Sequence, residues 1–211
     1  MLTLSINTAT SETSIALLKE GLLLSEKSWL SHNDEAEKLM PEIDSMFVSE
    51  GAGFSDLKKV VVISGPGSFT GLRVGITVAN TISYLTGCEL YGVETLPYLW
   101  TAVEQTPQTA LLVFAGRGGV YFSKSPQDEP KIVNLEDLNV RLKSEGITQV
   151  YGDITEDQKA ILEGVEFKEV DISFGKISEK LLAQDLTPVK IIKPNYIKKP
   201  SITKSTKTLF N

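Results

Sequence analysis

Apolar and polar positions alternate from the second residue onward. Residues 2–7 follow the two-residue period of a half-buried strand, and residues 13–18 form a more continuous apolar strand. Lys19-Glu20-Gly21 reads as a turn into a third strand over residues 22–29. The period then lengthens. Ala36, Leu39, Met40, Ile43, Met46 and Phe47 recur at helical spacing, with Asn33 or Asp34 placed to cap the start and Gly51 to end it. Pro41 falls inside this pattern and removes one backbone hydrogen bond, so a kink or a helix that restarts is expected there.

The β-branched run at residues 59–64 predicts a buried strand, followed by a glycine-rich loop. A helix over residues 72–86 ends at Gly87, residues 88–93 form a strand, and residues 95–105 a helix. A similar order begins again after residues 105–108. It runs through a strand at 110–115, a tight turn at 116–119, a strand at 120–124 and a helix at 135–145. A strand at 147–152, a helix at 156–163, a strand at 165–170 and a helix at 176–183 complete it. Two halves with matching element order predict a duplicated α/β fold.

Composition narrows the chemistry. The chain has 211 residues, 41% of them apolar and 23% charged, the balance of an ordinary soluble globular protein. One cysteine, Cys88, excludes an intramolecular disulfide and fits a reducing, cytoplasmic setting. No basic leader precedes the first strand and no apolar run has the length of a membrane span, so neither a secretory signal nor a membrane anchor is expected. The one histidine, His32, excludes a two-histidine metal site within the chain, and it lies in a polar stretch where an exposed position at the start of a helix is expected. A formal net charge of −6 argues against nucleic-acid binding by the whole surface. Residues 187–211 nevertheless hold six lysines and no acids. That basic stretch reads either as a solvated terminus or as a contact for a nucleic acid or a partner.

The loop Gly65-Pro-Gly-Ser-Phe-Thr-Gly-Leu-Arg-Val-Gly75 lies between a buried strand and a helix, the usual setting of an anion site. Its spacing fits neither common nucleotide motif. Gly71 is followed by Leu72 and Arg73 rather than Lys-Ser/Thr. Gly65, Gly67 and Gly71 stand one residue too far apart for the dinucleotide fingerprint, with Ser68 between them and Thr70 at its third glycine. The helix that follows carries small residues every fourth position, Gly71, Gly75, Ala79, Ser83 and Gly87, and no charge between Arg73 and Cys88. Glycine inside a helix costs about 1 kcal/mol against alanine, so close packing against this ridge is expected. The packing element is the chain's own sheet or first helix, or the helix of a partner subunit, and the two can share the surface.

Four segments together carry a resemblance. They are Gly65 to Gly75, Ile6-Asn-Thr-Ala-Thr-Ser-Glu-Thr-Ser-Ile-Ala-Leu17, Leu39-Met-Pro-Glu-Ile43 and Pro194-Asn-Tyr-Ile-Lys198. Over most of its length the chain resembles the B-subunit family of the bacterial tRNA threonylcarbamoyladenosine machinery, within the actin/sugar-kinase/Hsp70-like superfamily. The resemblance implies an α/β fold of two similar ribonuclease-H-like halves, mixed sheets flanked by helices. The halves are expected at residues 1–106 and 107–190, with a basic tail at 191–211. It also implies a non-catalytic scaffold without a cofactor or metal. Such a scaffold would pair with the paralogous catalytic D subunit, join an ATPase E subunit, and meet tRNA only through the complex. The expected partner surface comprises Leu39, Ile43, Met46, Leu72, Gly75, Ala79 and Ser83. The alternatives are an ATP-dependent small-molecule phosphotransferase of the same fold and a stand-alone homodimer; a metalloprotease is disfavoured by the single histidine.

Three departures from the family pattern bear on chemistry. Asn7 replaces the aspartate that handles metal and phosphate in related ATP-using proteins, and an amide is a poor ligand for Mg²⁺. The family's histidine before its Leu-Leu-Pro segment falls on Glu35. The family's polar turn reads Phe114-Ala-Gly-Arg-Gly-Gly-Val-Tyr121, with Arg117 displaced by one place.

Overall fold

The computed structural model describes residues 1–32 and 34–196. The capping candidate Asn33, and the part of the basic tail from Ile197 to Asn211, lie outside the described residues. In the first half, β1 (Leu2–Asn7), β2 (Glu12–Lys19) and β3 (Leu22–Leu30) form an antiparallel meander. Helix α1 (Glu35–Ser49) leads to β4 (Leu57–Gly65), α2 (Phe69–Thr86) to β5 (Glu89–Glu94), and α3 (Thr95–Trp100) follows. The sheet order is β3-β2-β1-β4-β5, with β4 parallel to both β1 and β5.

The second half repeats this plan strand for strand. It contains β6 (Thr109–Phe114), β7 (Gly119–Ser123), β8 (Lys131–Asn134), α4 (Leu135–Ser144), β9 (Gln149–Asp153), α5 (Glu156–Ala160), β10 (Glu166–Phe167) and α6 (Phe174–Leu182). Its sheet runs β8-β7-β6-β9-β10, antiparallel through β8, β7 and β6 and parallel from β6 through β9 to β10. Two mixed five-stranded sheets of one topology, flanked by helices, are the duplicated α/β fold expected from the element order.

Burial explains the elements. In β1 every residue is buried, because Leu4 and Ile6 face one helical layer and Thr3 and Ser5 the other. One layer is α1 and α2, which present Leu39, Ile43, Phe47, Leu72 and Ile76 to the core. The other includes α6, whose Gly175 lets its backbone approach Leu23 and Glu26 of β3; the Gly175 N–H donates to Glu26 Oε2 at 2.7 Å. Helix α6 thus lies on the first sheet although it follows the second half in sequence. The segment after it also returns to the first half. Val189 N–H donates to the Leu90 carbonyl at 2.8 Å, and Asn80 clamps the Ile192 peptide, accepting from its N–H and donating to its carbonyl, both at 2.9 Å.

Several expected boundaries are corrected. Helix α1 continues through Pro41 without a restart; this mid-helix proline sacrifices the bond to residue 37, while Leu39, Ile43, Met46 and Phe47 on either side of it are buried in the core. Helix α3 stops at Trp100 rather than 105, where Thr101 turns its hydroxyl back onto the Tyr98 carbonyl at 2.6 Å. Helix α5 ends at Ala160 rather than 163, and β10 keeps two residues of the expected six. Strand β8 was not expected, since Lys-Ile-Val-Asn is too short to show a period; pairing with β7 defines it. Among the described residues no helix is long and apolar enough to cross a membrane.

Candidate functional site: the interlobe cleft

Topology locates the site. Strands β1, β4, β6 and β9 all point their carboxyl ends into the space between the halves, where α/β sheets place ligand sites. A cleft of about 940 Å³ opens there. Its walls are the β1–β2 turn (Ala9, Thr10, Ser11), the start of α1 (Glu35), the glycine loop (Gly67 to Thr70), the turn at Ala115 to Gly118, and Asp153, with Asn195 and Tyr196 at the side.

The glycine loop brings its own members together and fills itself from within. A β-carbon on Gly67 would collide with the Ala9 carbonyl, and one on Gly71 with the Thr8 carbonyl. Ser68 N–H donates to the Ala9 oxygen at 2.8 Å, and Ser68 Oγ caps α2 by accepting from Gly71 N–H at 3.2 Å. The glycines therefore admit the end of β1, not a phosphate. Gly65 has φ +111°, a conformation that excludes most other residues, and its peptide to Pro66 is cis. Thr70 is exposed at the start of α2. Arg73 is occupied by the returning segment: its Nε donates to Tyr196 Oη at 3.1 Å and its guanidinium lies 3.9 Å from the centre of the Phe69 ring.

Asn7 is likewise committed. Its Oδ1 accepts from Ala9 N–H at 3.0 Å and its Nδ2 donates to Thr10 Oγ1 at 2.7 Å, so the amide holds the β1–β2 turn. Across the cleft, Asp153 Oδ2 accepts from Ser11 N–H at 2.9 Å and Oδ1 accepts from Ser11 Oγ, a clasp between the halves. Burial raises the Asp153 carboxyl above its ordinary value, and the two Ser11 bonds only partly oppose this. The Phe114–Tyr121 turn is held by Gln158, whose Nε2 donates to the carbonyls of Gly116 and Gly119, both at 3.2 Å. Among the described residues no three His, Cys, Asp or Glu side chains gather into a metal-holding cluster. His32 is exposed just before α1.

The side chains expected at a partner surface lie elsewhere than expected. Leu39, Ile43, Leu72 and Ala79 are wholly enclosed in the chain's own core and Met46 nearly so. A β-carbon on Gly75 would strike Thr8 Oγ1, which itself donates to the Gly71 carbonyl at 2.7 Å. Ser83 is half-buried and donates to the Cys88 carbonyl at 2.8 Å. Gly71 and Gly75 of the ridge thus pack against Thr8, just past the end of β1, while a β-carbon on Gly87 would meet nothing within 4 Å. The solvent faces of the same helices carry other apolar groups: Met40 and Val48 on α1, Tyr84 and Leu85 on α2, the last two 88% and 74% exposed.

Sequence reasoning missed Thr8, Asp153 and Asn80, and read Glu35 only as a departure. Asp153 had one usable signal, since the duplicated element order puts the end of β9 opposite the β1–β2 turn. Thr8 and Asn80 act over separations of 63 and 112 residues, which no local pattern reports.

Comparison with known proteins agrees with this architecture. Residues 30–138 match the model of the family described as TsaD, tRNA N6-adenosine threonylcarbamoyltransferase. The chain is 29% identical over 146 residues to the tRNA threonylcarbamoyladenosine biosynthesis protein TsaB of Escherichia coli (strain K12), covering 67% of this chain and 62% of that one. It is 32% identical over 99 residues to the protein of the same name from Bacillus subtilis (strain 168), covering 47% and 43%. The chain thus spans about 62% and 43% of these relatives' lengths. YeaZ from Pseudomonas aeruginosa superposes with a TM-score of 0.69 at 19% identity, over 93% of this chain and 99% of that one, which shows a common fold.

Proposed function

Because the chain belongs to the tRNA N6-adenosine threonylcarbamoyltransferase family, in its TsaB/YeaZ branch, we propose that it is a non-catalytic subunit of a tRNA-modifying assembly. In this reading it supports transfer of a threonylcarbamoyl group to N6 of the adenosine beside the anticodon by binding a paralogous catalytic subunit, with an ATPase subunit as a further member. It brings no cofactor of its own and touches tRNA through the assembly.

The observation that carries the non-catalytic part is the filled glycine loop. Where a nucleotide-using relative would keep backbone N–H groups open for phosphate, Thr8 and Ala9 occupy the space and Ser68 N–H is already bonded. Asn7 is a neutral amide with both ends bonded internally, so it offers no anionic oxygen to Mg²⁺. The partner-binding part rests on α2. That helix has no charge after Arg73 and exposes Tyr84 and Leu85, with Val74 and Val78 half-buried beside them. An uncharged face with an exposed aromatic group is the composition of an interface core. The interface is therefore assigned to the outer faces of α1 and α2, not to the inward residues that spacing alone selects.

The test is reconstituted threonylcarbamoyl transfer to tRNA, with and without this chain, together with co-purification of the catalytic subunit. Leu85→Asp and Tyr84→Asp should abolish both co-purification and stimulation while leaving the melting temperature within a few degrees of wild type. Transfer that proceeds equally well without the chain would end the proposal, and pairing that survives both substitutions would end the interface.

A further inference from the structure

We propose that the interlobe cleft binds a small molecule whose ammonium or guanidinium group is held by Glu35. Glu35 is the first residue of α1 and lines the cleft, yet it is only 2% exposed. Its Oε1 accepts from Ser31 Oγ, while Oε2 has no hydrogen-bond partner. A carboxylate oxygen enclosed without a donor is far costlier than an unpaired neutral group. The start of a helix favours an acid, which accounts for the charge being tolerated but supplies no donor to Oε2. Among the described residues no lysine or arginine forms an ion pair with Glu35. The other acid of the cleft, Asp153, has both oxygens engaged by Ser11, so Glu35 Oε2 is the carboxylate oxygen at the cleft left without a donor.

The surroundings narrow the ligand further. A cleft of about 940 Å³ is at the upper end of the range for small-molecule sites. Its walls also include the exposed Arg117 on the facing turn, which favours an anionic group. The site therefore suits a zwitterion, with a cationic end on Glu35 and an anionic end toward Arg117. The inference does not depend on the subunit role proposed above, and its test uses the chain alone.

Isothermal titration of the whole chain with O-phosphoethanolamine, agmatine and inorganic phosphate decides it. O-phosphoethanolamine should bind, with an affinity about thirtyfold lower in Glu35→Gln and about tenfold lower in Arg117→Ala. Agmatine should respond to Glu35→Gln alone, and phosphate to Arg117→Ala alone. Failure of both amines to bind the wild-type chain, or equal amine affinity in wild type and Glu35→Gln, would mean that Oε2 is satisfied by water and would overturn the proposal. Should Glu35→Gln not fold, the wild-type titrations still decide: O-phosphoethanolamine binding no tighter than phosphate would overturn it equally.

Discussion

Gly75→Ala isolates the packing of α2 on β1. In an open helix this change stabilises by about 1 kcal/mol, because alanine restricts the unfolded backbone more than glycine does. Here the added carbon lands on Thr8 Oγ1, with Thr8 Cγ2 at 3.2 Å and Cβ at 3.3 Å. Thr8 is fully buried, so it must rotate within a packed core and give up its bond to the Gly71 carbonyl. Overpacking costs about 1–3 kcal/mol and the lost bond about 1 kcal/mol, which together outweigh the helical gain. Gly75→Ala should therefore destabilise by roughly 2 kcal/mol. In a Thr8→Ala background the nearest remaining atom is the β-carbon at 3.3 Å, which a small shift accommodates. There Gly75→Ala should be neutral or stabilising, giving a coupling of about 2–3 kcal/mol between the sites. Urea unfolding of wild type, both single variants and the double variant measures it. A Gly75→Ala protein as stable as wild type, or effects that add within about 0.5 kcal/mol, would refute the packing described for this ridge.

Three further outcomes are expected. Asp153 has a folded-state pKa above its ordinary 3.8, so the folded chain holds the proton more tightly than the unfolded one. Its contribution to stability is therefore greatest at low pH and declines as pH rises from 3.8 through the raised value, so urea midpoints should fall less across that window in Asp153→Asn than in wild type. Ser123→Ala leaves the buried Trp100 indole N–H, now 2.9 Å from Ser123 Oγ, without an acceptor. It should cost about 1–3 kcal/mol and be visible in tryptophan-monitored unfolding. Asn80→Ala removes both bonds to the Ile192 peptide, so hydrogen exchange and proteolysis should accelerate in residues 189–196 while the amides of β1 and β4 keep their protection.

What was legible in the sequence was local or periodic. The alternation in Leu2–Asn7 and the β-branched run in Leu57–Gly65 give their strands directly, and Gly87, at φ +72°, ends α2 where its position implied. Repeated element order was enough to infer two similar halves. The losses share one cause: they depend on what lies opposite. Lys-Ile-Val-Asn becomes β8 because β7 pairs with it. For the site, four-residue spacing signalled that something approaches α2 closely. It could not say that the visitor is Thr8, because the same spacing serves an internal turn and an external helix equally. Glu35 stood out only as a departure from the family's histidine, and only the closing of the cleft around it shows that it is enclosed.

The return of α6 and of residues 189–196 to the first sheet sets an order on assembly. During synthesis the strands and helices of the first half emerge early, but the covering for Leu23 and for the β5 edge is made only after the second half. Until then that half carries uncovered apolar surface, a condition that favours aggregation or capture by chaperones. Contacts joining residues 23 and 179, or 80 and 192, also close very long loops, which slows folding relative to a chain of two independent lobes. A fragment ending at residue 106 should accordingly be poorly soluble, and adding a peptide that spans residues 170–196 should improve its recovery.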